Sequence, residues 1–398
     1  MKKYFLFFFS AFCFSQTALN NTNINAAVDM WISDQATAQA TYGHISNWDT
    51  SAVTDMQELF KNHNNFDDDI SPWDVSNVVN MREMFYGCQY FNQDISSWDV
   101  SNVTNMEYMF YGCVDFNQNI SPWNVSNVTN MIGVFAYAAN FNQPIGSWNT
   151  SNVTDNSYMF SYASSFNQNI NSWDTSNVTF MAYVFNNASS FNQPLDNWDV
   201  SNVINMSEMF SITSSFNQPL NNWNVSNVTD MSSMFYNSYF DQPLDNWDVS
   251  NVTDMSLMFM GNDTFNQPLN NWNVSNVTDM SAMFMSATNF NQNISSWDVS
   301  NTTNIAQIFA DATSFNKPLN SWNVSNVLNF NGAFTIASSF NQPLDNWNTS
   351  LVTDMNAMFY LAEAFDQDLS SWDVSNVSNM ENMLSFSGIS ESNYDNTI

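Results

Sequence analysis

Tryptophan recurs along this chain at Trp48, Trp73, Trp98, Trp123, Trp148, Trp173, Trp198, Trp223, Trp247, Trp272, Trp297, Trp322, Trp347 and Trp372. Each step is 25 residues, except the 24 from Trp223 to Trp247, where Phe235 and Phe240 stand five apart and other copies have six. Fourteen copies of one unit, over residues 48–384, constrain the fold more than any other feature. Each unit touches mainly its neighbours, so the chain is expected to form one elongated solenoid rather than two or three globular domains.

One copy, FNQPLNNWNVSNVTDMSAMFMSATN at 265–289, sets out the local expectations. Leu269, Trp272 and Val274 suggest a short strand with Trp and Val on one face and Asn273 on the other. Ser275-Asn276 then turns the chain, because small hydrogen-bonding side chains suit a corner. The Asn of this corner is absent only at Ala52 and Leu351. Stacked in register, Asn77, Asn102, Asn127, Asn152, Asn177, Asn202, Asn227, Asn251 and Asn276 are expected to form a structural ladder. Asp279 is placed to cap a short helix whose stripe is Met280, Met283, Phe284 and Ala287, at i, i+3, i+4 and i+7. The expected fold is an α/β repeat solenoid of 14 coils, each a short strand, a corner and a short helix, with a parallel β stack and a cap at each end.

The flanks fit that scheme. Residues 1–15 read as a signal peptide, with Lys2 and Lys3 before an apolar run too short to cross a bilayer. Residues 16–47 read as an N-terminal cap in which Ala27, Met30 and Trp31 fall at helical spacing and Trp31 packs on the first repeat. Residues 385–398 read as a C-terminal cap or a truncated tail. The chain is thus expected to be exported, secreted or at the cell surface, with no transmembrane segment.

Charge narrows the partners. Acidic residues number 37 and Lys plus Arg only 5, a net −32. Such a surface repels phosphate backbones and anionic lipid, so no nucleic acid is expected as a partner. Catalytic constellations are missing as well: the two His, His44 and His63, are far apart, and no phosphate loop or metal-type Cys spacing occurs. The run Asp67-Asp68-Asp69 reads as a solvated turn, and no enzyme is expected.

Three features remain as candidate sites. The residue after each Trp is Asp or Asn, and Asp49, Asp74, Asp99, Asp174, Asp199, Asp248, Asp298 and Asp373 form an acidic row assigned to the concave strand face. Carboxylates stacked at about 4.8 Å repel one another, which calcium held by oxygen ligands would relieve; otherwise no cofactor is called for. Cys88 and Cys113 occupy one place in consecutive copies, either as two small buried thiols or as a disulfide between coils. Tyr86, Tyr108, Tyr111, Tyr137, Tyr158 and Tyr183 are the nearest candidates for an aromatic cluster that breaks the repeat, the alternative being ordinary surface aromatics. A row including Thr104, Thr129, Thr154, Thr179, Thr229, Thr253 and Thr278 leaves ice binding as a distant third reading, interrupted at Val79, Ile204 and Leu328.

With its FNQPLxxWxVSNVTDMxxMF core, the span 48–384 resembles the bacterial surface-protein repeat of BspA-like proteins, which are regarded as divergent leucine-rich repeats. The segment 84–88, Met-Phe-Tyr-Gly-Cys, is similar to the Ala-Phe-x-x-Cys helix of that subtype, and AVDMWISDQATAQATYGHISNWDTS to its N-terminal cap. The resemblance implies an exported, non-enzymatic surface protein that adheres to or recognises extracellular proteins, cells or glycans; the chain is expected to be monomeric. The alternative is a structural, cation-stabilised surface or biofilm component.

Overall fold

Backbone amides that leave water need partners, and where a coil finds them decides the fold. In the computed structural model, which describes residues 17–397, alternate amides of one stretch find them in the next coil. Beginning at Asp279, the amides of Met280, Ala282, Phe284 and Ser286 donate to the carbonyls of Asn304, Ala306, Ile308 and Ala310 at 2.7–3.0 Å. The amides between them, at Met283, Met285 and Ala287, close turns onto Met280, Ala282 and Phe284 at 3.0–3.2 Å. The same pattern recurs along the array, and a column of parallel bridges runs from Asp55 to Asn379. The result is a repeat solenoid.

The expected strand and helix are both corrected. Leu269–Trp272 is a turn, closed by the Trp272 amide on the Leu269 carbonyl at 3.1 Å, and the parallel stack lies instead at the Asp279 column. The stretch 280–287 is a run of turns with left-handed residues at Ala282 (φ 53°) and Ser286 (φ 56°). Asp279 accepts from the Ser281 amide at 2.7 Å, a side-chain turn rather than a helix cap. Even so, Met280, Met283, Phe284 and Ala287 are all buried. Turns repeating every four residues point the same positions inward as a helix does, so the apolar stripe cannot separate the two conformations. Among the described residues, helices occur only at the ends: α1 (Ile24–Ser33), α2 (Gln35–Tyr42), a 3-10 turn (Ile45–Asn47) and α3 (Glu391–Thr397).

On the Trp edge, side chains replace the backbone ladder. From Trp73 on, each indole N–H reaches the carbonyl three residues before the preceding Trp, for example Trp272 to Leu244 at 2.9 Å. The corner Asn residues do not bond to one another: Asn77, Asn102, Asn127, Asn152, Asn177, Asn202, Asn227, Asn251 and Asn276 each donate to a Ser carbonyl of the coil before, at 2.7–2.9 Å. A second ladder lies in the FNQ segment, where the Asn291 amide donates to Asn266 Oδ1 at 3.0 Å and Gln292 Nε2 to the Asn266 carbonyl at 2.8 Å.

The two edges are spaced differently. Stacked Trp pairs lie 6.0–6.5 Å apart between ring centres, and stacked Tyr pairs on the Met–Phe edge 4.4–4.5 Å. Backbone ladders hold strands near 4.8 Å, whereas an indole spans a wider gap. The coils therefore fan out, with the Met–Phe edge concave and the Trp edge convex. The Asp row, which follows the Trp residues, is on the convex side and not on the concave one.

The 24-residue copy is absorbed without loss of the core. Asn262, buried in the next coil, donates to Ser238 Oγ at 3.3 Å and the Phe240 carbonyl at 2.9 Å across the shortened loop. At the N-terminus Trp31 meets Trp48 edge-on at 6.0 Å, and its indole donates to Asp68 at 2.8 Å, so the helical cap closes the first coil. At the C-terminus Ser390 and Asn393 bind Asp366 just before and within α3. The signal-peptide reading at 1–15 lies outside the described residues, and among those described no helix is long and apolar enough to cross a membrane.

Candidate functional site: a tyrosine-lined groove on the concave edge

Two left-handed positions per coil turn side chains outward on the concave edge, ten and fourteen residues after each Trp. Most copies place small or polar residues there. The third to sixth copies instead place tyrosine: Tyr108, Tyr158 and Tyr183 at the first position and Tyr137 and Tyr162 at the second, with φ between 53° and 62°. A bulky residue in this region is strained, by an amount of order 1 kcal/mol each. Gly133, left-handed between Tyr108 and Tyr158, makes room for its neighbour, because a Cβ there would collide with the Tyr108 ring.

These tyrosines join with Tyr86 and Tyr111 into one surface. Tyr86 stacks on Tyr111 at 4.4 Å, Tyr111 meets Tyr137 at 5.1 Å, Tyr137 stacks on Tyr162 at 4.4 Å, and Tyr158 stacks on Tyr183 at 4.5 Å. Together they wall a groove of about 950 Å³ that crosses eight coils, from Lys61 to Tyr236. Its floor is the column thirteen residues after each Trp. There Ala136, Ser161, Asn186 and Ser211 are buried between the tyrosine walls, and Tyr111 and Tyr236 stop the two ends. The Ser211 hydroxyl is buried and has no hydrogen-bond partner.

The rings stack in pairs, so one face of each stacked ring is covered by its partner. Burial pushes the Tyr111 phenol up to about 12, and burial followed by the Glu208 carboxylate raises that of Tyr183, so both remain neutral donors at physiological pH. One mouth carries an ion cluster. Lys61 pairs with Glu83 and with Glu58 at 3.2 Å, and Arg82 with Glu83 and with Glu107 at 3.4 Å. Lys61 Nζ also lies 5.5 Å from the centre of the Tyr86 ring.

The other sequence-derived candidates take structural places. Asp49, Asp74, Asp99, Asp174, Asp199, Asp248, Asp298 and Asp373 each accept from the amide of the Ser two residues on, at 2.9–3.1 Å. Asn does the same in the other copies, for example Asn273 with Ser275 at 3.2 Å, which explains why the two residues interchange: only an acceptor oxygen is needed. Among the described residues no three His, Cys, Asp or Glu come together as a metal site. Of the two alternatives for Cys88 and Cys113, the structure has both as free, buried thiols. Each turns toward the preceding coil, donating to the carbonyl of Phe60 at 2.9 Å and of Phe85 at 3.0 Å, so the sulfurs follow one another instead of facing. The Thr row is likewise engaged: Thr154, for example, donates its hydroxyl to the Thr129 carbonyl at 3.2 Å.

Six of the groove tyrosines stand out in the sequence. Tyr162, Glu208 and the floor residues do not, since their meeting depends on which columns turn outward. Their only signal is departure from the consensus within consecutive copies.

A solenoid with a groove along one edge defines a repeat protein. Six overlapping stretches, 27–147, 100–188, 133–242, 215–319, 237–342 and 300–396, match the family described as "Mycoplasma protein of unknown function, DUF285". The chain belongs to that family. Among curated proteins, none matches. Among solved structures, the chain is similar to one described as "Crystal structure of TLR13-ssRNA13 complex", at 10% identity and a TM-score of 0.18. That similarity covers 84% of this chain and 60% of the other, so the chain spans less than two thirds of that protein's length.

Proposed function

We propose that this chain is an exported, BspA-like recognition protein without enzymatic activity, and that an extracellular protein partner lies along the tyrosine groove. The observation that carries this reading is the gathering of tyrosines from consecutive coils into one groove, at left-handed positions that copies elsewhere fill mostly with Gly, Ala or polar residues and in places with Leu, Ile or Phe. Tyrosine suits protein recognition because it offers a large amphipathic contact with only two side-chain torsions to fix.

The test applies the full chain to arrays of extracellular proteins and glycans, with calcium and with chelator. Beside it runs a variant carrying Tyr137→Ser, Tyr158→Ser and Tyr183→Ser. Protein ligands bound equally in both buffers and lost in the variant are expected. Ligands that the variant retains, or glycans alone, would move the site elsewhere. Binding lost on chelation would favour a cation-dependent surface.

A further inference from the structure

The two ends of the groove share one register but differ in charge balance. Glu83 and Glu208 both stand ten residues after a Trp. At Glu83 the preceding coil supplies Lys61, whose ammonium pairs with the carboxylate and approaches the Tyr86 ring. At Glu208 the equivalent residue of the preceding coil is Asn186, a short neutral amide whose Nδ2 reaches Glu208 Oε2 at 3.1 Å. No Lys or Arg forms an ion pair with Glu208 among the described residues. In the place of the Tyr86 ring stands Ser211, a far smaller side chain, buried, with its hydroxyl unpartnered. Tyr183, hydrogen-bonded to Glu208, and Tyr158 stacked on it supply the aromatic wall.

We infer that the Glu208 end of the groove is a receptor for a cationic side chain of the partner protein, a lysine-type ammonium that takes the place Lys61 takes at the other end. This rests on the groove being the recognition site. The chemistry is complementary: the Glu208 carboxylate attracts an ammonium, and the phenol oxygens of Tyr158 and Tyr183 offer acceptors to its donors. The net charge of −32 draws basic partners toward the whole molecule, and the site decides where the charge seats.

The test uses the full chain at physiological salt, where diffuse attraction is screened. A blocked Gly-Gly-Lys-Gly-Gly peptide and its norleucine counterpart, alike in stem length and without charge, are titrated by ligand-observed NMR. The lysine peptide is expected to bind and the norleucine peptide not. Glu208→Gln should weaken binding by about tenfold, while Asp298→Asn, which removes the same charge from the convex edge, should change it less than about twofold. Asn186→Lys should abolish binding by filling the site from within. Thermal melts establish that each variant is folded. Equal losses in Glu208→Gln and Asp298→Asn, equal binding of both peptides, or no binding of the lysine peptide would overturn the inference. If the array ligands are retained by Glu208→Gln yet lost with the tyrosine variant, the cationic receptor falls and the groove stands. If both retain them, the groove reading itself falls.

Discussion

Replacing Trp198 by Phe tests how the wide edge of the solenoid is held. Trp198 is 3% exposed, and its indole donates to the Ile170 carbonyl at 3.1 Å. The Trp173 amide donates to that same carbonyl at 3.1 Å, so losing the indole leaves the oxygen with one partner rather than none. The penalty for a fully orphaned buried carbonyl, about 1–3 kcal/mol, therefore does not apply, and the net value of one hydrogen bond, about 1 kcal/mol, does. The smaller ring also buries roughly 50 Å² less, worth about 1.3 kcal/mol at 25 cal/mol per Å². The expected loss is about 2 kcal/mol, against about 3–5 kcal/mol for Trp198→Ala, which opens a cavity as well. Urea unfolding followed by near- and far-UV circular dichroism gives both values and the slope. Nearest-neighbour coupling adds a second expectation, that Trp198→Ala lowers the slope by dividing the array into two unfolding units. If the Phe and Ala variants lose the same stability, the indole bond and not ring burial holds this edge, and the reasoning fails.

Other substitutions probe other columns. Asn156 stands where most copies have Met, is buried, and leaves its Oδ1 without a partner; Asn156→Met should raise stability by about 1–3 kcal/mol in the same urea assay. At the convex turn, Asp199→Asn should be neutral within about 0.5 kcal/mol, while Asp199→Ala, which removes the acceptor for Ser201, should lose about 1 kcal/mol. Asp49, Asp99, Asp174 and Asp298 are held below the usual carboxylate range by the Ser hydroxyl and then the Ser amide they bind. A depressed folded value means that this stabilisation is complete above the unfolded value near pH 4 and lost as pH falls through the folded one. The melting temperature should therefore drop below about pH 4, and Asp99→Asn with Asp174→Asn should flatten the drop. Burial pushes the Cys88 thiol up to about 12 and Cys113 well above its ordinary value. Both should resist alkylation at pH 8 in the folded protein and react once it is unfolded, whereas fast labelling would place a thiol at the surface.

The interval of the Trp residues, the inward set Met280, Met283, Phe284 and Ala287, and the corner at Ser275-Asn276 all follow from sequence alone. Each depends only on spacing, and spacing dictates which side chains lie inside a closed coil whatever conformation the backbone takes. A solenoid, its length in coils and its single continuous core were therefore legible. So were six of the groove tyrosines, because they break the repeat. The conformation of each coil was not. A helix satisfies its amides within one segment, and this chain satisfies alternate amides in the next coil; both choices bury the same residues, and only the stacked neighbour distinguishes them. Curvature followed from that choice, since a backbone ladder is narrower than a column of indoles, and it put the Asp row on the convex edge. The groove needed the same tertiary fact twice: left-handed positions turned the tyrosines outward, and coil stacking brought Asn186 beside Glu208 where it had brought Lys61 beside Glu83.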